Sequence, residues 1–410
     1  MAQVTLARRL GPLDATAIGL GSMLGAGVFA AFAPAAATAG SGLLIALAVA
    51  GFVAYCNATA SAQLAAAYPA SGGTYLFGRE VLGPWWGFTA GWGFVIGKTA
   101  SCAAMALTFA AYAAPGFERP VALAAVVVLT AVNCAGITRT ALATKVLLAV
   151  VLVVLLTTTA LALPAAHHPQ WTTGSPLDIL QAAGLLFFAF AGYARIATLA
   201  EEVRDPGRTI PRAVLAALTG AIALYLLIGV TLLLVLGPDR LATSSAPLTD
   251  LLTTAGYPSL TPAVRVGAAA ASLGALLALI TGIGRTSMAM ARNRDLPRFL
   301  ATTSTRQVPA RAEITVGAVV CGLVLLGDLR GVIGFSSFGV LTYYAITNAC
   351  AYRQPPEQRR WPRALNLAGF TGCAVLAATL PPVSALAGAG VLGIGLLLRT
   401  WATAWAGPTG

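Results

Sequence analysis

The sequence predicts an all-α integral membrane protein with about twelve transmembrane helices. Three observations carry that prediction. Of 410 residues, 58% are hydrophobic and only 9% are charged, whereas roughly a quarter of a soluble domain is charged. Apolar stretches near the ~20 residues of one bilayer crossing recur from Asp14 to Trp401. The basic residues gather in alternate connections between those stretches, as the positive-inside rule requires. A soluble globular domain, a disordered chain and a disulfide scaffold are excluded. The short alternating strands of an outer-membrane barrel are absent.

In order, the stretches run over 14–38, 42–67, 84–114, 119–136, 141–164, 176–200, 213–237, 263–290, 312–327, 331–352, 364–380 and 382–402. Span 1 follows Arg8 and Arg9 but is longer than a signal core and continues past a glycine cluster, so it is read as a span and not a cleaved leader. Span 3 carries Lys98, span 5 has no ionisable residue over 146–163, and span 6 carries Tyr193-Ala194-Arg195. The polar, proline-rich segment 238–262 is either a loop or an outer lid. The six cysteines lie in or at the ends of apolar stretches without CxxC spacing, which suits small buried hydrophobes better than bridges or metal ligands. No cofactor and no metal is expected.

The net charge of +12 would suggest nucleic acid in a soluble chain. Here it reads as topology, and no nucleic-acid partner is expected. With the N-terminus placed in the cytoplasm, Arg119, Arg240, Arg265 and Arg330 fall outside, while Lys98 and Arg195 lie within spans. The remaining nineteen of the 25 basic residues fall inside. Both termini are therefore expected in the cytoplasm, and the chain in the cytoplasmic membrane.

Two spans contain breaks. Span 1 reads Gly19-Leu20-Gly21-Ser22-Met23-Leu24-Gly25-Ala26-Gly27, and span 6 reads Phe187-Phe188-Ala189-Phe190-Ala191-Gly192-Tyr193. Each glycine weakens a helix by ~1 kcal/mol relative to alanine. The two spans lie five apart and so cross in opposite directions. Interrupted helices at matching positions of two inverted halves point to a transporter's binding site. A break in span 1 frees amides at Ala26 and Gly27 that suit a carboxylate, with Ser22 and Gly25 shaping the turn. Carbonyls near Met23, Ala191 and Gly192 suit an ammonium group, so a zwitterion fits. The alternative is plain helix packing, since Gly21 and Gly25 form a GxxxG.

At this point the chain resembles the amino acid–polyamine–organocation (APC) superfamily of permeases over nearly its whole length. Gly21-Ser22-Met23-Leu24-Gly25-Ala26-Gly27-Val28-Phe29 is similar to the span 1 signature. Tyr68-Pro69-Ala70-Ser71-Gly72-Gly73-Thr74-Tyr75 is similar to the segment after span 2, Phe187–Gly192 with Glu201–Arg212 to the span 6–7 signature, and Met290–Pro297 to the segment after span 8. The resemblance implies one transporter domain over 1–410 with a leucine-transporter-like 5+5 inverted repeat. Spans 1–5 (14–164) and 6–10 (176–352) would be its halves, with 364–402 peripheral and helices 1 and 6 discontinuous. It implies an amino acid or related amine as substrate and alternating access. Carried over by position, the carboxylate meets the amides of Ala26 and Gly27. The amino group meets carbonyls of Met23, Phe188 and Ala191, and Phe188 or Tyr193 gates the site. Where many relatives carry an acidic residue in span 6, this chain has Ala194, and the lysine of span 5 in many relatives has no counterpart within 146–163.

Charge inside the membrane is costly and usually functional. Lys98 lies ~20 Å into its span at the helical rise and is expected to face the central cavity, where it could exchange protons. Arg195 stays protonated at any working pH, so it is expected to bind backbone carbonyls exposed by the break or a substrate anion. No Asp or Glu lies mid-span, which disfavours a polyamine and favours neutral amino acids, with acidic ones a second option. The expected function is a secondary active amino acid transporter with protons as the candidate coupling ion. An exchanger, or a non-transporting sensor on a permease fold, is the alternative. No HExxH or GxSxG occurs and the two histidines sit together at 167–168, so an enzyme is not expected.

Overall fold

The computed structural model describes residues 10–68, 73–136, 141–167, 171–193, 195–198, 203–306 and 308–405. Span 1 is built from α1 (Pro12–Met23), α2 (Ala26–Ala30) and α3 (Phe32–Ala39), and span 2 is α4 (Leu43–Ala67). A short α5 (Gly73–Phe77) and a wider turn over Gly78–Leu82 lead into α6 (Pro84–Ala113). Then come α7 (Glu118–Cys134), α8 (Ala141–Ala162), α9 (Pro176–Phe190) and α10 (Arg195–Thr198). The second part holds α11 (Pro206–Thr243), α12 (Pro247–Thr254), α13 (Thr261–Arg292), α14 (Ala310–Leu326), α15 (Leu329–Arg353), α16 (Arg363–Thr379) and α17 (Pro382–Trp405). Among the described residues no β-strand forms; there are only isolated bridges, Leu10 with Val203 and Gly40 with Thr173.

Every predicted stretch coincides with helix. Among the described residues, eight helices are long and apolar enough to cross a membrane. The stretches at 119–136, 312–327 and 364–380 give helices of 17 residues each, about 26 Å at the helical rise. Span 6 gives only 15 continuous residues because it breaks at Ala191. The segment 238–262 proves largely helical. Gly237, at φ 75°, turns α11 so that it continues to Thr243. Helix α12 follows with Leu248 and Leu251 fully buried. Residues 69–72, 194 and 201–202 of the quoted motifs lie outside the described residues.

Local chemistry sets the ends of these helices. Ser175 caps α9 by accepting from the Asp178 N–H at 3.3 Å, and the Asp178 carboxylate accepts from the Ser175 N–H at 2.8 Å. This reciprocal pair satisfies two of the donors that a helix start leaves open. Proline opens α1, α6, α9, α11, α12 and α17, where its missing N–H costs nothing.

The α6–α15 crossing is the most extensive in the core. Gly93 and Gly97 of α6 meet Gly339 of α15 so closely that a Cβ on Gly339 would stand 2.7 Å from the Gly93 carbonyl. Small residues let two backbones approach in this way, and dispersion then holds them. Across the same seam the Ser101 and Ser336 hydroxyls lie 2.6 Å apart. This crossing fixes the rotation of α6 and with it the direction in which Lys98 points.

Candidate functional site

Both predicted breaks are present. Helix α1 stops at Met23 because Leu24 (φ −77°, ψ 40°) and Gly25 (φ −83°, ψ −143°) leave helical geometry, and the chain re-enters helix at Ala26. Helix α9 stops at Phe190, with Ala191 at ψ 19°, and α10 begins at Arg195. The two breaks press on each other. A Cβ on Gly192 would overlap the Ser22 carbonyl and stand 2.6 Å from the Met23 nitrogen, and one on Gly27 would stand 2.5 Å from the Ala189 Cα. Glycine is required at both positions by space, not by dihedral angle.

A break at membrane depth strips carbonyls of their helical donors, and hydrocarbon supplies no replacement. Two side chains supply it here. The Tyr225 hydroxyl, on α11, lies 2.7 Å from the Met23 carbonyl and 2.9 Å from the Ala189 carbonyl. Its single proton is shared between the two breaks. The Lys98 ammonium donates to the Ala191 carbonyl at 2.7 Å. Lys98 is 8% exposed and Tyr225 is wholly buried. Removing only the hydroxyl, by Tyr225→Phe, leaves two buried carbonyls without a donor. About 1–3 kcal/mol of destabilisation is expected, seen as a lower melting temperature in detergent with the helical content unchanged.

Beside the breaks lies a cavity of about 390 Å³. Its polar wall is Ser22 of α1, Asn133 of α7, Thr144 of α8, Arg195 of α10, and Thr281 and Arg285 of α13, and among the described residues no carboxylate lines it. Helix α1 is held to α8 at the mouth by an ion pair of Asp14 with Lys145. The Arg195 guanidinium packs on Gly282, where a Cβ would stand 3.0 Å from it.

The sequence profile of the amino acid permease family matches residues 10–396. The chain belongs to the amino acid permease family. Similar proteins are transporters by name. One, an uncharacterized transporter of Mycobacterium tuberculosis, is 59% identical over 401 residues, covering 95% of this chain and 90% of its own. A branched-chain amino acid permease of Bacillus subtilis is 25% identical over 406 residues, 91% of this chain and 87% of its own. The vacuolar cationic amino acid transporter 4 of Arabidopsis thaliana is 26% identical over 381 residues, 84% of this chain and 63% of its own. The permease is thus a multi-pass membrane protein of amino acid transport, a transporter by family.

The permease places its sequence-predicted site residues unevenly. Ser22 and Arg195 stand on the cavity wall. Gly25, Ala26 and Gly27 form the restart of span 1 and are not among the cavity's lining residues. Met23, Ala191 and Gly192 lie at the contact between the breaks, and the carbonyls of Met23 and Ala191 already accept from Tyr225 and Lys98. The Phe188 carbonyl accepts from the Ala191 N–H at 3.4 Å. Tyr193 is fully buried, its ring stacked on Tyr344 at 5.1 Å. Tyr225, Asn133 and Arg285 escaped the sequence reading. The one usable signal was a lone tyrosine amid the aliphatic residues of span 7; nothing in the sequence shows which carbonyls it meets.

Proposed function

We propose that this permease is a secondary active transporter. It moves amino acids that carry no net positive charge, neutral ones being the sequence expectation, across the cytoplasmic membrane by alternating access. The observation that carries the proposal is the meeting of two broken helices, with Lys98 bonded into the break of the second. Spans 1–5 and 6–10 are taken as inverted halves, with both termini cytoplasmic. The substrate carboxylate takes the amides of Ala26 and Gly27, next to Ser22 and Gly25. Its amino group takes the carbonyls around Met23, Phe188 and Ala191, in competition with Lys98 and Tyr225. Phe188 and Tyr193 are the aromatic gate candidates. Lys98 is the proton carrier, since an amine can release a proton whereas the Arg195 guanidinium cannot. The relatives' names span branched-chain and cationic amino acids, so family membership leaves the side chain of the substrate open.

The test is uptake of radiolabelled amino acids into proteoliposomes, with and without an inward proton gradient. Gradient-driven accumulation that Lys98→Ala abolishes is the expected result. Flux only with substrate preloaded inside would mean an exchanger. Binding without flux would mean a sensor. Unchanged proton-driven uptake in Lys98→Ala removes Lys98 from the coupling.

A further inference from the structure

We infer that the amino acids this permease prefers are acidic ones, and that Lys98 selects them by a change of partner. The inference rests on the transport reading above and narrows it to one charge class. Two independent observations support it. The first is who occupies the carbonyls of the breaks. A neutral amino acid brings one ammonium, and each acceptor it needs already holds a donor, a cationic one at Ala191: the Lys98 ammonium stands 2.7 Å from that carbonyl and the Tyr225 hydroxyl 2.7 Å from that of Met23. Its ammonium would have to stand beside that of Lys98, with like charges unscreened by water. The second observation is the wall of the cavity. It carries the guanidinium groups of Arg195 and Arg285 and, among the described residues, no carboxylate.

An acidic amino acid resolves the conflict. Its second carboxylate offers Lys98 a full opposite charge in place of a carbonyl dipole, and ion-paired hydrogen bonds are the stronger kind. When Lys98 swings to that carboxylate, the Ala191 carbonyl is released for the substrate's own ammonium. Arg195 can serve a neighbour and the substrate together, because one guanidinium has five donors. Among the described residues, the carboxyl groups near the cavity offset this only in part. Asp14 is paired with Lys145. Glu313 is 1% exposed, packs under Gly284 beside Cys134 and lies near enough to Arg285 to offset its charge, so the positive charge of the wall rests on Arg195. A neutral side chain has nothing to draw Lys98 off Ala191, so the neutral substrate is refused by an interaction internal to the protein. Specificity by such a built-in obstacle is a general device.

Glutamate and glutamine are near-isosteres that differ by one charge, and they make the test. In proteoliposomes, glutamate uptake is expected to exceed glutamine uptake by about tenfold or more, the size of one hydrogen bond to a charged group. The variants are read by counterflow, which needs no proton gradient and so survives loss of the proton carrier; there Lys98→Met is expected to collapse that ratio toward one, chiefly by losing glutamate, because the released Ala191 carbonyl still admits glutamine. Lys98→Gln is the second variant should Lys98→Met not fold, and the wild-type ratio decides the proposal even without either. Transport of glutamine or leucine that excess glutamate fails to inhibit overturns the proposal while leaving the permease reading intact. A glutamate preference that survives both Lys98 substitutions overturns the role of Lys98. Neither transport nor binding of any amino acid, from protein that elutes as a single folded species, overturns both readings.

Discussion

Asp295→Ala is expected to destabilise the protein by about 3–5 kcal/mol, the cost of leaving a buried charge without its partner. The carboxylate is 4% exposed and sits just past the end of α13. One oxygen accepts from Arg79 at 3.0 Å and from the Tyr75 hydroxyl at 2.7 Å, and the other pairs with Arg399 at 3.1 Å. Arg399 belongs to α17 and is itself 8% exposed, its guanidinium held over the Trp85 and Phe88 rings at 4.8 and 4.7 Å. Burial, and then the carboxylate beside it, push the Tyr75 hydroxyl up to about 12, so it stays a donor throughout the working range of pH. One side chain therefore joins the segment after span 2, the start of α6, the end of α13 and the last helix. Asp295→Asn keeps an acceptor for Tyr75 but loses the charge, and its loss should be smaller. The measurement is thermal unfolding in detergent together with the yield of monodisperse protein. An Asp295→Ala variant as stable as the wild type would show that the cluster holds nothing together.

Gly192→Ala is expected to abolish transport and to lower stability. The added methyl would overlap the Ser22 carbonyl and crowd the Met23 nitrogen. Overpacking a core costs about 1–3 kcal/mol even when side chains can move aside, and here the obstacles are backbone atoms of the partner break. Relief requires separating span 1 from span 6, which pulls the Met23 and Ala189 carbonyls away from the one hydroxyl they share. Gly322→Ala is the control. It lies within α14, and a Cβ there meets nothing within 4 Å. Alanine at that position should gain up to ~1 kcal/mol from helix propensity and leave uptake unchanged. Uptake and melting temperature measured on both variants separate a local clash from a general intolerance of glycine replacement.

Much of the fold was legible because membrane burial writes itself into composition. Twelve apolar stretches and the glycine cluster each forecast a helix or a break where one occurs, from Pro12 to Trp405. The same signal misjudged 238–262. Its prolines and hydroxyls left it open between a loop and an outer lid and gave no sign of helix, but Pro238 and Pro247 stand at helix-compatible positions and Leu248 and Leu251 are buried. For the site, the sequence pointed to which backbone would be freed, since glycine placement controls that. It did not point to what satisfies the freed groups, because a hydrogen-bond partner 93 or 202 residues away, as Lys98 and Tyr225 are, leaves no local pattern.

By itself, then, the sequence determined the membrane class, the helical elements, the two breaks and the scarcity of charge, all of which follow from hydropathy, glycine content and the cost of ions in hydrocarbon. Only the tertiary structure decided that the breaks touch through Gly192 and Gly27, that Lys98 faces Ala191, and that Asp295 gathers Arg79 and Arg399. Those outcomes depend on the rotation and crossing of whole helices. They are set by close packing at contacts such as Gly97 against Gly339, where a single methyl group would change which side chain meets which carbonyl.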